Sequence, residues 1–185
     1  MTTSYEVTSL SKFLSEFPEE RVSKMLSSFS CAKDRDVESF LREKAIVQEK
    51  KQISRTYLIF TSERNEIAAY FSIAISSMDV TDLECSNELR KKMNINNKLA
   101  QSYLIGQLGR SDGSPKGLGK FMILSAIERI KDANLKVGCR VIRLDCRSPL
   151  VKYYNENGFI LAGRDKERDL NQMVRIMDAR TAASP

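Results

Sequence analysis

Histidine and tryptophan are absent from the 185 residues, and proline and cysteine number only four each. Without histidine, a histidine-based triad or a structural zinc site has little to work with, and no metal site is expected. The cysteines, Cys31, Cys85, Cys139 and Cys146, form no CxxC pair. If Cys139 and Cys146 share a strand they stand about 23 Å apart at roughly 3.3 Å per residue, too far for a bridge. Reduced, packing thiols are the expected state. No stretch reaches the roughly 18 to 20 consecutive apolar residues of a membrane span, and the polar opening MTTSYEVTSL lacks the basic and apolar parts of a secretory signal. The expectation is a cytosolic protein without a membrane partner. Zinc-finger, RRM-type aromatic and basic-zipper signatures are missing too, as are repeats and low-complexity tracts.

What is there is of globular composition, 42% apolar and 29% charged, enough for one core and, on this reading, one domain. The net charge of +6 is unevenly spread: residues 1–100 carry 15 basic and 15 acidic side chains, residues 101–185 carry 15 basic and 9 acidic. A positive second half suits a polyanionic ligand, with solvated lysines and arginines as the bland alternative.

Along the chain, Tyr5 to Leu10 alternates as a short strand. Leu14 to Phe29 has helical spacing that Pro18 divides into two short helices. Asp34 offers an N-cap for an amphipathic helix through Val37, Phe40, Leu41, Ala45 and Ile46 to about Lys51. Thr56 to Thr61 and Ile67 to Ser76 read as a hairpin turning at Ser62 to Asn65. The polar stretch at about 79–100 predicts either a substrate-side insertion with a short helix or a solvated connector. Then come a strand over Tyr103 to Arg110, a glycine turn, an apolar helix over Phe121 to Ile130, and a strand over Val137 to Cys146. A short helix follows from Pro149 to Asn157, with Gly158 as its C′ residue, and strands close the chain at Phe159 to Ala162 and Met173 to Met177. The terminal TAASP reads as frayed.

The turn Ser114-Pro115-Lys116-Gly117-Leu118-Gly119-Lys120 carries the clearest chemical signal. Two glycines let backbone approach a ligand, and a helix beginning there aims unpaired N–H groups and its positive dipole end at an anion. Lys116 and Lys120 add charge. A plain turn ahead of a helix would also use glycine, so the motif alone does not decide.

Joined to the later segment Tyr154-Asn155-Glu156-Asn157-Gly158-Phe159, this turn resembles the GCN5-related N-acetyltransferase (GNAT) superfamily, over about residues 34–178. Lys116 to Lys120 matches the end of the family's Q/R-x-x-G-x-G/A turn, and Tyr154 with Gly158 and Phe159 matches its Y-x-x-x-G-F segment. Two departures stand out: Ser114 where the turn usually begins with Gln or Arg, and Arg147 where an asparagine often precedes the tyrosine. The resemblance implies an α/β (α+β) fold with a mixed, mostly antiparallel sheet, flanked by helices and containing one splayed parallel pair of strands. It implies acetyl-CoA as donor, with Leu108, Gly109 and Arg110 offering backbone partners to its arm and Lys116, Gly117, Leu118, Gly119 and Lys120 taking the diphosphate. It implies direct attack by a primary amine, with Tyr154 as general acid for the coenzyme A thiolate. No base is assigned among Asp79, Asp82 and Glu84. The narrower alternative is a toxin that acetylates aminoacyl-tRNA, which would make tRNA a partner. A second alternative is a non-catalytic acyl-CoA sensor, and by analogy with the superfamily a homodimer is possible.

Overall fold

The computed structural model describes residues 4–61, 64–81 and 83–177. Asp82, Ser62 and Glu63 of the expected turn, and the terminal TAASP lie outside these. Among the described residues the strands form one seven-stranded mixed sheet in the order β1-β2-β3-β4-β5-β7-β6. Contacts divide the chain into two compact units, Met1–Ala74 with Ile105–Arg129 and Ile75–Leu104 with Ile130–Pro185.

In the first unit, β1 (Tyr5–Ser9) pairs antiparallel with β2 (Arg55–Thr61), which pairs antiparallel with β3 (Arg64–Asp79). Ser9 caps α1 (Leu10–Glu16), which therefore begins four residues before the apolar spacing suggests, and Pro18 sits at the N-cap of α2 (Glu19–Ser27). Asp34 caps α3 (Arg35–Ser39) through the amides of Asp36 and Val37, as its position predicts. The helix then widens at Phe40–Lys44, where Ala45 N–H reaches back five residues to the Phe40 carbonyl, before α4 (Ala45–Lys50) resumes. Apolar periodicity is nearly blind to one extra residue in a turn. Leu10, Leu26, Phe29, Leu41, Leu58 and Tyr70 build this unit's core.

In the second unit, β4 (Leu99–Arg110) pairs parallel with β5 (Val141–Cys146) through three rungs, Ser102 with Val141 to Leu104 with Arg143. β4 continues past the last rung to Arg110. β7 (Leu170–Ile176) pairs antiparallel with β5 on one side and with β6 (Ile160–Asp165) on the other. β5 starts later than the apolar run Val137 to Cys146 implies, because residues 137–140 are a connector in which the Val137 carbonyl accepts from the Tyr103 hydroxyl at 2.5 Å. The polar stretch at 79–100 holds α5 (Asn87–Lys92), and it is not solvated throughout. Val80, Leu83, Leu89 and Met93 are buried with Val141, Ala162 and Val174.

All four cysteines are free. Among the described residues no His, Cys, Asp and Glu groups converge to hold a metal ion, and no helix is long and apolar enough to cross a membrane.

Candidate active site

The end of β4 and the glycine turn belong to the first unit. Ser111 N–H donates to the Ala68 carbonyl at 2.9 Å, so the chain leaves β4 still tied to β3. The Ser114 hydroxyl lies 2.5 Å from that same carbonyl and 2.6 Å from the Ser111 carbonyl. With one proton to donate, it is spent on the turn itself. This explains how serine stands where the motif usually has Gln or Arg: here the position staples the turn to the sheet. Lys116 and Lys120 are exposed and free to face an anion.

Gly117 has φ +88°, a conformation in which any other residue is strained, and open space surrounds its Cα. It turns the chain into α6 (Leu118–Asn134), whose first N–H groups have no intrahelical acceptors. The helix buries Leu118, Met122, Ile123, Ala126, Ile127 and Ile130. Leu124, within the apolar stretch Phe121 to Ile130, is half exposed. Gly109 has a different reason to be glycine: a Cβ there would collide with the ring of Tyr70 and with Val37 Cγ1.

In the second unit, α7 (Val151–Glu156) follows a 3₁₀ turn over Ser148–Leu150, and it carries Tyr154. Gly158 ends it at φ +82°, the left-handed C′ conformation the motif predicts. The Tyr154 ring is 8% exposed and meets Phe159 edge-on at 6.1 Å and Tyr153 at 5.4 Å. Two other buried tyrosines have their hydroxyls tied down: Tyr70 donates to the Val37 carbonyl and Tyr103 to the Val137 carbonyl, each at 2.5 Å. The Tyr154 hydroxyl has no hydrogen-bond partner among the described residues. Thr56 Oγ1 is the one fully enclosed side-chain oxygen there without a partner, so the Tyr154 hydroxyl retains an opening. The Tyr154 hydroxyl is thus uncommitted where those of Tyr70 and Tyr103 are held.

Burial, reinforced by the neighbouring Cys146 thiol and by Tyr153, pushes the Tyr154 phenol well above its ordinary range. The sequence reading required no such shift. It keeps the phenol protonated throughout the physiological range, the form a general acid must start from. Asp79, one of the carboxylates considered as base, accepts from Thr81 N–H at 2.8 Å, and hydrogen bonds from Thr81 hold it below the usual carboxylate range. That favours its ionised form and makes it a weak proton acceptor.

One buried pair escaped the sequence reading. Arg143 on β5 is 5% exposed and holds Asp145 through two bonds of 2.8 Å, and Asp145 also receives Arg168 at 2.8 Å. Alternation along β5 places residues 143 and 145 on one face, but not which face is covered.

No protein-family model matches the chain, and no curated protein does. Solved structures do. The chain superposes on AtaT complexed with acetyl-methionyl-tRNAfMet with a TM-score of 0.71 at 19% identity, over 94% of this chain and 95% of that one. It superposes on a tyrosine-to-phenylalanine mutant of KacT at 0.73 and 16% identity, over 93% and 94%. A third structure, described as a bacterial toxin, gives 0.73 at 10% identity, over 95% and 92%. The fold is the GNAT fold. The seven-stranded mixed sheet with a parallel pair, β4 and β5, is the GNAT sheet, and the expectation drawn from the two short motifs holds for its architecture.

Proposed function

We propose that this protein is an acetyl-CoA-dependent N-acetyltransferase, and that its acceptor is the amino group of an aminoacyl-tRNA. The observation that carries the reading is the near full-length likeness to AtaT, a protein captured with acetyl-methionyl-tRNAfMet. Other AtaT structures of the same fold hold acetyl-CoA. A primary amine in general is the broader form of the acceptor, and the α-amino group of a charged tRNA is one such amine.

The residues present fit this donor. The turn at Gly117 exposes the first N–H groups of α6, with Lys116 and Lys120 beside them, as a diphosphate requires. Leu108, Gly109 and Arg110, beyond the last rung of the β4–β5 ladder, would offer backbone groups to the arm that carries the thioester. Leu118 and Gly119 open the helix.

The chemistry asked of the chain is modest. The amine nitrogen forms a bond to the thioester carbonyl carbon, the carbon–sulfur bond breaks, and its electron pair leaves on sulfur. Tyr154 gives that sulfur its proton and is reprotonated by the proton the amine sheds, through water. Burial holds the Tyr154 phenol in its protonated form, so the proton is available when the thiolate forms. The basic excess of residues 101–185 suits both the donor's phosphates and a nucleic-acid acceptor.

The test is direct. Purified protein, acetyl-CoA and a set of charged tRNAs are combined, and the aminoacyl group is analysed for N-acetylation after release. Acetylation of one or more charged tRNAs, with equimolar free thiol, is expected. Thiol release with small amines or peptides but with no charged tRNA would move the acceptor elsewhere and leave acetyl transfer standing. Tight acetyl-CoA binding with no transfer to any amine would make the protein a sensor.

A further inference from the structure

One face of β7 carries Asn171, Met173 and Arg175 at every second position, and its two polar members reach opposite ends of the segment that bears Tyr154. At the leading end, buried Asn171 Nδ2 donates to the Cys146 carbonyl at 3.3 Å and to Ser148 Oγ at 3.1 Å. At the trailing end, Arg175 Nη1 donates to the Asn157 carbonyl at 3.0 Å. Asn171 and Arg175 are four residues apart, about 13 Å along a strand at roughly 3.3 Å per residue. They bracket Ser148 to Asn157, with fully buried Met173 between them.

The trailing contact also explains a motif residue. A Cβ on Gly158 would lie 2.8 Å from Arg175 Nη1 and 3.4 Å from its Cζ. The glycine therefore does two things: it permits φ +82°, and it leaves room for the guanidinium to reach the last carbonyl of the turn. That turn is the one that closes on Tyr154, because the amides of Asn157 and Phe159 both donate to the Tyr154 carbonyl, at 3.0 and 3.1 Å. Phe159 in turn packs edge-on against the Tyr154 ring. Arg175 makes no ion pair with a described residue, so its hydrogen-bonding capacity is not committed to a carboxylate there. A cationic donor at a helix C-terminus is favourably placed for the unpaired carbonyls as well as for the dipole.

We infer that Arg175 is a positioning residue for Tyr154, holding the Asn157-Gly158 turn so that the phenol keeps one orientation. The inference rests on Tyr154 being the general acid. Arg175 touches no substrate in this role; it acts through the turn.

A double-mutant cycle with Tyr154 tests it, using thiol release from acetyl-CoA with charged tRNA as acceptor, beside hydrogen exchange of the backbone amides. Arg175→Met is expected to lower kcat about 10- to 100-fold, the size of effect a small misplacement produces, with KM for acetyl-CoA within about threefold. In a Tyr154→Phe background the same change should cost less than about twofold, since there is no phenol left to orient. Arg175→Lys, which keeps a cationic donor, should recover most of the loss. The amides of Asn157 and Phe159 should exchange about tenfold faster or more in Arg175→Met, with the β5 amides unchanged.

Additive losses in the double variant, or unchanged exchange at 157 and 159, would overturn the inference and leave the role of Tyr154 intact. A fully active Tyr154→Phe enzyme would remove the general acid and the inference with it. Should the wild-type protein transfer nothing to any acceptor, the functional reading fails, and the exchange rates still decide whether Arg175 holds the turn. If Arg175→Met does not fold, Arg175→Gln and Arg175→Lys go through the same cycle.

Discussion

The ring of Tyr70 on β3 occupies the space that a side chain at position 109 on β4 would need, with Val37 Cγ1 closing the same gap. Tyr70 is fully buried, stacks on Phe40 at 6.2 Å, meets Phe29 edge-on at 5.3 Å, and ends its hydroxyl on the Val37 carbonyl. A tyrosine held on three sides does not yield, so the strand that would carry the acetyl donor must be bare at 109. Gly109→Ala should therefore cost about 1 to 3 kcal/mol of stability, the usual range for overpacking, and weaken acetyl-CoA binding by shifting the backbone of Leu108 to Arg110. Urea unfolding and calorimetric titration would check both, and an alanine variant with wild-type stability would show that the ring can move.

The three buried tyrosines should answer differently to losing one oxygen. Tyr154→Phe removes no hydrogen bond to a described residue, so stability should stay within about 0.5 kcal/mol while turnover falls about 10²- to 10⁴-fold. Tyr70→Phe takes a donor from the Val37 carbonyl, which keeps the Phe40 amide, and Tyr103→Phe takes one from the carbonyl of exposed Val137, each costing about 0.5 to 1.5 kcal/mol. Thermal melts and steady-state rates on the three variants separate the roles. A strongly destabilised Tyr154→Phe protein would mean its hydroxyl does structural work.

Gly117→Ala forces a side chain into φ +88°, at a cost of about 1 to 2 kcal/mol. Space is open around Gly117, so the penalty is conformational and not a clash. Acetyl-CoA affinity should drop with stability, and Gly117→Asn, which tolerates this backbone better, should recover part of both. Equal affinity in the alanine variant would detach this turn from the diphosphate.

The Arg143–Asp145 pair predicts an asymmetry. Asp145→Ala leaves an arginine buried without its carboxylate and should cost about 3 to 5 kcal/mol. Arg168→Ala removes a side chain that is more than half exposed and leaves Asp145 still paired, so it should cost about 1 kcal/mol or less. Denaturant midpoints for the two variants measure the difference, and equal losses would contradict the burial of Arg143.

The Cys146 thiol supplies a pH prediction with a definite sign. Burial, with the nearby Asp145 charge, raises it from 9.0 to about 11. Between those values the unfolded chain has lost the proton and the folded one keeps it, so the unfolded state binds fewer protons and stability falls as pH rises. The contribution is whole below pH 9 and gone above about 11. Cys146→Ala should flatten the fall in unfolding midpoint across that window, and an identical slope would place the alkaline sensitivity elsewhere.

Legibility from the sequence followed the reach of each physical signal. Caps and special backbone conformations are local, so Asp34, Pro18 and Gly158 could be placed from the residues around them. The two motifs pointed to the fold because their glycines answer to backbone geometry, as φ at 117 and 158 shows. Ser114 could not be read, because its partner Ala68 is 46 positions away. The same distance problem hid why position 109 is glycine, since Tyr70 and Val37 fill its space, whereas Arg143 stands two residues from Asp145 and only the covering of their shared face lay out of view. Strand β5 was drawn too long since Val137 looks like a strand residue, yet its side chain is 68% exposed and its carbonyl answers to Tyr103. Helix α1 started early because Ser9 captures Lys12 N–H, a cap the apolar spacing alone does not display.

The widened coil at Phe40–Lys44 lets the helix running from Arg35 to Lys50 hold one residue more than a regular helix of the same reach. Each residue of a regular helix advances it by about 100°, and the wide turn absorbs most of one such step, so deleting one residue there would leave a regular helix with everything after it on nearly the same faces. Glu49 would keep its seat, where it accepts Thr56 N–H and the Arg55 guanidinium, each at 2.9 Å, and the start of β2 would keep its anchor. A homologue shorter by one residue in this coil can therefore hold that strand by the same side chain.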